Sequence, residues 1–363
     1  MTALSLWIVA GVASLGLAYL EAPFFIWITT CALSIGLCQW LGALHGILLY
    51  GAWTVLISFA LGFGNPAIRR RLFTIYLLQI LKRTLPPISL TEQEAIEAGD
   101  IWWEAELFKG RPNWAQLLAL PTPRLTEEET HFLNHQVEIL CAMIDDWQVS
   151  HTVLDLPPTA WAYLKQEGFL GIIIPKEYGG LGFSALAHST IVQKISTHSL
   201  TAAISTMVPN SLGPAELLIH YGTESQKQYY LPKLAKGEEI PCFALTSLEA
   251  GSDAGAIVDS GIVCKGEWQG KEIIGMKLTW DKRYITLAPI ATVLGLAFKL
   301  YDPDGLIGDK EELGITLCLM PTAHPGVEIG HRHFPLNQPF MNGPTRGKDV
   351  FVPLEWIIGG PAM

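Results

Sequence analysis

No lysine, arginine or aspartate occurs between Leu4 and Phe63, and only Glu21 and His45 interrupt that apolar run. A segment so poor in charge does not suit the surface of a soluble domain, and at roughly 60 residues it is too long to be covered on all sides within one. No basic region precedes it and it far exceeds the core of a secretion signal, which argues against a cleaved leader. A basic surplus is missing as well. The formal net charge is −10, and the one dense cationic cluster is Arg69, Arg70 and Arg71 with Lys82 and Arg83 behind it, so nucleic acid is excluded as a general partner. Cys31, Cys38, Cys141, Cys242, Cys264 and Cys318 show no CxxC or other metal-like spacing, which points to reduced thiols in a cytoplasmic body and to no metal.

What is present is concentrated apolarity. Hydrophobic residues make up 50% of the 363 and mean hydropathy is +0.31, more apolar than an ordinary soluble enzyme. Breaks at Glu21-Ala22-Pro23 and around Gly42 to Gly46 cut the leader into spans of about 17–21 residues, near the length that crosses a hydrocarbon core. Residues 1–66 are expected to form a transmembrane anchor of two or three helices. The first positive side chains come after the last span, so the positive-inside rule places everything downstream on the cytoplasmic side of the inner membrane. Within 67–87, Ile68, Leu72, Phe73, Tyr76, Leu77, Ile80 and Leu81 recur at helical spacing among five basic residues. This suits a helix on an anionic membrane surface or a solvated connector, closed by the Pro86-Pro87 linker.

Residues 88–239 read as a helical domain. Thr91 to Glu94 and Thr126 to Glu129 have the capping-box pattern, in which a threonine hydroxyl and a carboxylate three residues on satisfy the free amides of a helix start. The first helix carries Ile96, Trp102, Trp103 and Phe108, and the second Phe132, Val137, Leu140, Met143 and Trp147, at spacings that suggest core. Further helices are expected from Pro157-Pro158 to Gly168, through about Thr197, from Pro214 to Gly222, and from the capping box Thr223 to Gln226 up to Gly237. Residues 240–363 are β-rich, with strand-like runs at 240–244, 261–268, 271–278, 284–299, 314–320 and 348–353 separated by turn chemistry.

The run from Cys242 to Ala256 goes from apolar strand residues into small, hydroxylated and glycine residues. Gly251 and Gly255 would let the main chain approach a flat ligand or take positive φ, and Thr246 and Ser252 offer hydroxyls. A plain strand-to-turn passage is the other reading of these residues alone. Four stretches decide the matter: Ile-Pro-x-Glu-Tyr-Gly-Gly-x-Gly-x-Ser at 174–184, Gly-Thr-x-x-Gln-Lys-x-x-Tyr-Leu-Pro at 222–232, the run at 244–256, and Lys282-Arg-Tyr-Ile-Thr286. In them the chain resembles the acyl-CoA dehydrogenase family, in its long, membrane-associated bacterial branch of fatty-acid β-oxidation.

The resemblance implies an α+β fold class, with a helical domain, a β-barrel-like middle domain and FAD, behind the transmembrane helices. It implies that the backbone of Phe243, Leu245 and Thr246 and the Thr246 hydroxyl meet the flavin edge. Tyr284, Ile285 and Thr286 would pack against the ring system, and Ser252 would contact acyl-CoA or the cofactor phosphates. Fatty acyl-CoA, an acceptor for the flavin's electrons and the membrane are the implied partners. The chain departs from the family at Ser247-Leu248, where Glu-Pro is usual, and at Tyr284, where Trp is usual; an alternative register lays Thr279-Trp280 over that triad. Dehydrogenation also needs a carboxylate to remove the α-proton. In the family that glutamate lies in a C-terminal helical domain, expected to be absent here because the chain stops at Met363, and a separate C-terminal polypeptide would then supply it. Glu177 and Glu249 are candidate substitutes in turn sequences. His331 and His333 alternate without a third ligand motif, which favours a surface strand over a metal site. Two other functions stay open: a membrane-tethered fragment that binds acyl-CoA, FAD or a partner without redox chemistry, and a related flavin oxidase or monooxygenase.

Overall fold

The computed structural model describes residues 12, 14–85, 93, 96, 97, 99, 102–110, 112–211 and 213–361. The chain separates into two units, Met1–Ile88 and Ser89–Met363. In the first, helix α1 (Phe24–Trp40) starts after Pro23, and α2 (Gly46–Gly64) starts beyond a turn in which Gly42 and Gly46 take positive φ. Phe24, at the start of α1, meets Phe59, near the end of α2, at 5.9 Å between ring centroids, so the two run antiparallel. Asn65 then caps a new start through its side-chain oxygen, which accepts from the Ala67 and Ile68 amides. Helix continues from Pro66 to Thr84, ending in α3 (Ile75–Thr84). Among the described residues α2 alone is long and apolar enough to cross a bilayer, with 19 residues; α1 has 17. None of the side chains described in α1, α2 or α3 is buried. The span expected before Glu21 lies mostly outside the described residues, as does the capping box expected at Thr91.

The second unit begins differently from the sequence expectation. Residues Trp103–Lys109 form a short 3-10 helix, and Trp102 is 61% and Phe108 91% exposed. Helical spacing here did not mark a buried face, because a three-residue turn rotates each aromatic away from the position an α-helix would give it. Trp103 alone of the three is buried, with its indole N–H donating to the Asn113 carbonyl. The helix expected to carry Phe132 through Trp147 is also broken. Helix α4 (Glu127–Asn134) stops at His135, where φ is −124° and ψ −69°, and α5 (Gln136–Ala142) comes next. Phe132, Val137 and Leu140 reach the core, whereas Met143 and Trp147 are exposed.

Helices α6 (Pro158–Gln166), α7 (Ala185–Ser196), α8 (Leu200–Met207), α9 (Pro214–Tyr221) and α10 (Glu224–Ala235) complete the helical part. The sequence expectation has no helix at α8, whose start is capped by Ser199. Phe132, Leu140, Leu164, Phe169, Ile191 and Ile195 centre the core of the helical part. Glu129 ties two helix starts together. One carboxylate oxygen accepts from the Thr126 amide at 2.8 Å, closing the capping box of α4, and the other accepts from the Ser184 amide at 2.7 Å at the start of α7. Burial opposes ionisation of this carboxyl, but the Ser184 and Thr126 hydrogen bonds outweigh it and hold the pKa below its ordinary 4.5. A depressed carboxylate contributes stability above the unfolded-state value that is lost as pH falls through the folded-state value. Glu129→Gln, which can accept from only one of the two amides, should cost about 1–2 kcal/mol near neutral pH and flatten the acid limb of the stability curve below pH 4.5. Urea midpoints across that range test this; an unchanged acid limb would refute it.

The β part is a curled seven-stranded sheet: β1 (Pro241–Ala244), β2 (Ser260–Trp268), β3 (Lys271–Thr286), β4 (Val293–Tyr301), β5 (Glu312–Pro321), β6 (Glu328–Ile329) and β7 (Asn342–Pro353). Strand β4 carries β5 along one edge. On the other it pairs in parallel with β1 over its first half and β2 over its second, and β2, β3, β7 and β6 continue the sheet antiparallel. The expected break after Leu278 does not occur. Strand β3 continues to Thr286 through register shifts at Leu278/Trp280 and Lys282/Ile285, and these bulges disturb the alternation that a strand reading relies on. The segment 287–292, expected inside a strand, turns instead, with Leu287 at φ +68° and a 3-10 turn at Ala288–Ile290. Ile174, Leu218, Leu231, Val293, Leu319 and Ile358 join the helical part to the sheet in one buried cluster.

Candidate functional site

Two of the motif-bearing segments lie side by side. The Thr246 carbonyl, just past the end of β1, accepts from the Arg283 amide of β3 at 3.0 Å, and Ser247 bridges to Lys282. Under this join sits a buried ion pair. Lys282 Nζ donates to Asp259 Oδ2 at 2.5 Å and to the Leu245 carbonyl at 2.9 Å, while Asp259 Oδ1 accepts from the Asp281 amide at 2.9 Å. Burial pulls the Lys282 ammonium's pKa below its ordinary value, and the hydrogen bond and charge of Asp259 offset part of that. The pair therefore acts as a rivet that fixes the turn after β1 to β3, and its lysine faces no solvent.

Beyond Lys282 the strand bulges. Between the pairs Lys282 with Thr345 and Ile285 with Gly343, β3 has two residues where β7 has one. Tyr284 takes φ +59° there, and the residue is 56% exposed. A non-glycine residue in this region is held against a steric cost of about 1–2 kcal/mol. Two contacts hold it: Asn342 Nδ2 donates to the Tyr284 carbonyl at 3.0 Å and to Thr286 Oγ1 at 3.2 Å. The His333 ring lies 5.1 Å from that of Tyr284. His331 and His333 are not in a strand, in contrast to the sequence expectation; residues 330–334 are coil that keeps two backbone bonds to β7, from the Gly330 amide to the Pro344 carbonyl and from the His333 amide to the Asn342 carbonyl, while Arg332 donates to the carbonyls of Leu154 and Pro339.

Each expected site residue has a definite place. Phe243 lies on β1, half-buried and paired with Gly295; Leu245 and Thr246 are half-buried at the join; Thr286 is half-buried at the end of β3. Ile285 packs its side chain into the sheet core, which leaves only its backbone for a ligand. Ser252 is exposed. Neither Gly251 nor Gly255 has positive φ, and nothing lies within 4 Å of the space a Gly251 side chain would fill. The turn is built instead by Asp253, whose carboxylate accepts from the Gly255 amide at 3.0 Å. Trp280, in the alternative register, is buried and its indole N–H donates to Thr345 Oγ1. Burial pushes the Cys242 thiol up to about 12, which removes it as a nucleophile. Glu177 and Glu249 are exposed turn residues. Glu249 borders an open groove of about 460 Å³ with Asp259, Asp281, Arg346 and Lys348; of the expected cofactor residues only Thr279 and Trp280 of the alternative register line it.

Sequence reasoning missed Asp259 and Asn342, which no local motif marks, since each acts on a strand distant in sequence; His333 reads there only as half of an alternating histidine pair. Two of their atoms are informative: His333 Nδ1 and Asn342 Oδ1 are buried and have no hydrogen-bond partner among the described residues. Orphaned polar atoms are costly unless a ligand or water meets them. The half-buried hydroxyls of Thr246, at the join, and of Thr286, beside Asn342, are groups there that can both donate and accept.

Comparison with known proteins fits this architecture. Residues 126–238 match the family described as acyl-CoA dehydrogenase, N-terminal domain. Over 67 residues the chain is 72% identical to "Protein HemX" of Proteus mirabilis, which is 18% of this chain and 39% of that protein. The mitochondrial very long-chain specific acyl-CoA dehydrogenase of Homo sapiens is 32% identical over 180 residues, 49% of this chain and 27% of that protein. The solved structure of an acyl-CoA dehydrogenase complexed with FAD from Bacillus anthracis shares the fold with a TM-score of 0.55 at 21% identity, over 66% of this chain and 38% of that one. The chain thus spans less than half the length of each of these relatives.

Proposed function

We propose, from the match of residues 126–238 to the acyl-CoA dehydrogenase N-terminal domain family, that this chain holds FAD and fatty acyl-CoA for α,β-dehydrogenation in β-oxidation, from an anchor in the inner membrane. The observation that carries the reading is the join of the Thr246 turn to the β3 bulge. There the Thr246 carbonyl accepts from the Arg283 amide of β3, three residues before Thr286, whose hydroxyl meets Asn342 Nδ2, and Asn342 Oδ1 and His333 Nδ1 have no partner among the described residues. FAD would supply the hydride acceptor. The residues at the join would bind its ring edge and hold hydrogen-bond donors where charge gathers on reduction. Ser252, exposed on the next turn, is free to meet acyl-CoA. The apolar helices α1 and α2, with no buried side chain, need covering by something other than their own unit, and a bilayer is the covering that α2's length fits. Arg69, Arg70 and Arg71 just beyond α2 favour the cytoplasmic side for the downstream chain.

A second reading is favoured by the carboxylates. Glu177 and Glu249, the turn residues with the chemistry of a base, are both solvent-exposed, so the chain would bind FAD and acyl-CoA without turning over unless a base reaches the site from another segment or polypeptide. Both readings predict a yellow protein. The full chain in detergent should take up FAD in a stoichiometric amount, monitored by quenching of flavin fluorescence, and absence of binding would sink both. Anaerobic addition of a long-chain acyl-CoA then separates them. Bleaching of the flavin band establishes a working base in the chain, with Glu249 the first to replace, and an unchanged band establishes the binding role. Rapid peroxide formation in air would instead identify an oxidase.

A further inference from the structure

Asn342 opens β7 directly opposite Thr286 on β3. Its side chain is 2% exposed, and its Nδ2 makes two bonds, to the Tyr284 carbonyl at 3.0 Å and to Thr286 Oγ1 at 3.2 Å. A main-chain carbonyl can only accept, so the amide NH2, not the oxygen, must face β3, and the orientation of the group is fixed by the network. The hydroxyl is oriented in turn. With an N–H directed at one lone pair of Thr286 Oγ1, the hydroxyl's own hydrogen is turned away from Asn342 and is left to donate elsewhere. The surroundings reinforce the geometry: the Leu287 amide donates to the Met341 carbonyl at 2.7 Å and the His333 amide to the Asn342 carbonyl at 2.7 Å, fixing the Asn342 end of the bulge.

We propose that Asn342 is a positioning residue, which locks the β3 bulge and sets the Thr286 hydroxyl as a hydrogen-bond donor to the flavin edge. The inference rests on the proposed binding of FAD at this join. An aspartate in its place would reverse the arrangement, since a carboxylate cannot donate to the Tyr284 carbonyl and would itself draw the Thr286 hydrogen. A bulge held in this way re-aims one strand-end hydroxyl at a ligand without altering the rest of the sheet.

The test uses the full chain in detergent, with FAD titrated into wild type, Asn342→Asp, Thr286→Val and the double variant. Each single change should weaken FAD binding about tenfold, and the double variant should bind no more weakly than Thr286→Val alone, because Asn342 acts through that hydroxyl. The visible absorption band of the bound flavin should move in the same direction in both single variants, a signature that a merely structural role would not produce. Wild-type affinity in Asn342→Asp overturns the proposal, and so does a double variant about a hundredfold weaker, the result for independent contributions. If circular dichroism shows Asn342→Asp unfolded, Thr286→Val decides, since it leaves the bond between Asn342 and Tyr284 in place. Unchanged FAD affinity there overturns the proposal, and weakened affinity with a shifted band supports it. Failure of the wild-type chain to bind FAD at all removes the FAD reading and this inference together, which distinguishes that result from a failure confined to Asn342.

Discussion

Lys282→Met is expected to destabilise the second unit by about 3–5 kcal/mol, the range for breaking a buried ion pair by removing one partner. The methionine fills nearly the same volume, so packing is not what is lost. What remains is the Asp259 carboxylate, 4% exposed, with the Asp281 amide as its one remaining donor, and a Leu245 carbonyl that has lost its donor. Exposure decides the magnitude. The pair between Lys176 and Glu128 is about as short, at 2.6 Å, but its side chains are 61% and 59% exposed, and such a pair contributes at most about 1 kcal/mol. Urea unfolding monitored by tryptophan fluorescence checks the difference. A cost of Lys282→Met below about 1 kcal/mol would mean that the pair is solvated after all. Adding Asp259→Leu should restore much of the lost stability, because it removes the stranded charge. FAD affinity should fall in the single variant too, since Lys282 holds the turn that carries Thr246 against β3.

The same residue shows where sequence reading reaches its limit. Lys282 stands in the sequence as part of a ligand signature. Its use as one half of a rivet depends on Asp259, 23 residues earlier on a loop that only the folded sheet brings beneath it. Capping chemistry was legible where the starts are described. The capping boxes of Thr126 with Glu129 and Thr223 with Gln226 are both formed, because a cap involves atoms within four consecutive residues. Their second duties were not legible. Glu129 also receives the Ser184 amide, and Gln226 also donates to the carbonyls of Glu355 and Ile357 and accepts from the Gly359 amide. The helix expected through about Thr197 forms at Ala185–Ser196, where the buried residues Ala187, Ile191 and Ile195 share one face. Periodicity found Phe132, Val137 and Leu140 in the core. It failed at Trp102 to Phe108, where no α-helix forms to make the spacing meaningful. At the site, the hydroxyls were visible in the sequence, but the bulge that aims Thr286 and the Asn342 clamp belong to the register between β3 and β7.

Gly180→Ala is expected to cost about 3 kcal/mol, at the upper end of the usual range for overpacking, although the substitution adds a single methyl. Gly180 has no positive φ, so the penalty is purely one of space: a Cβ there would lie 2.1 Å from the Ile174 carbonyl oxygen and 2.5 Å from the Ile174 Cβ. Neither can give way cheaply. Ile174 is fully buried in the cluster that joins helices to sheet, and its carbonyl accepts from the Gly182 amide at 2.9 Å. The loop is held on both flanks by Leu181 N–H to the Gly171 carbonyl and Phe183 N–H to the Ile172 carbonyl. Gly179 supplies the control. It sits at φ +82° with nothing within 4 Å of a built Cβ, so Gly179→Ala should cost only the conformational penalty of about 1–2 kcal/mol. The order of the two costs in urea unfolding therefore separates sterics from backbone preference. If Gly179→Ala proves the more damaging, close packing is not what the Tyr-Gly-Gly motif provides. If the expected order holds, the second glycine is required because the Ile172–Ile174 segment and the returning loop share a space that admits only backbone. The start of α7, and Glu129 with it, is then positioned by that contact.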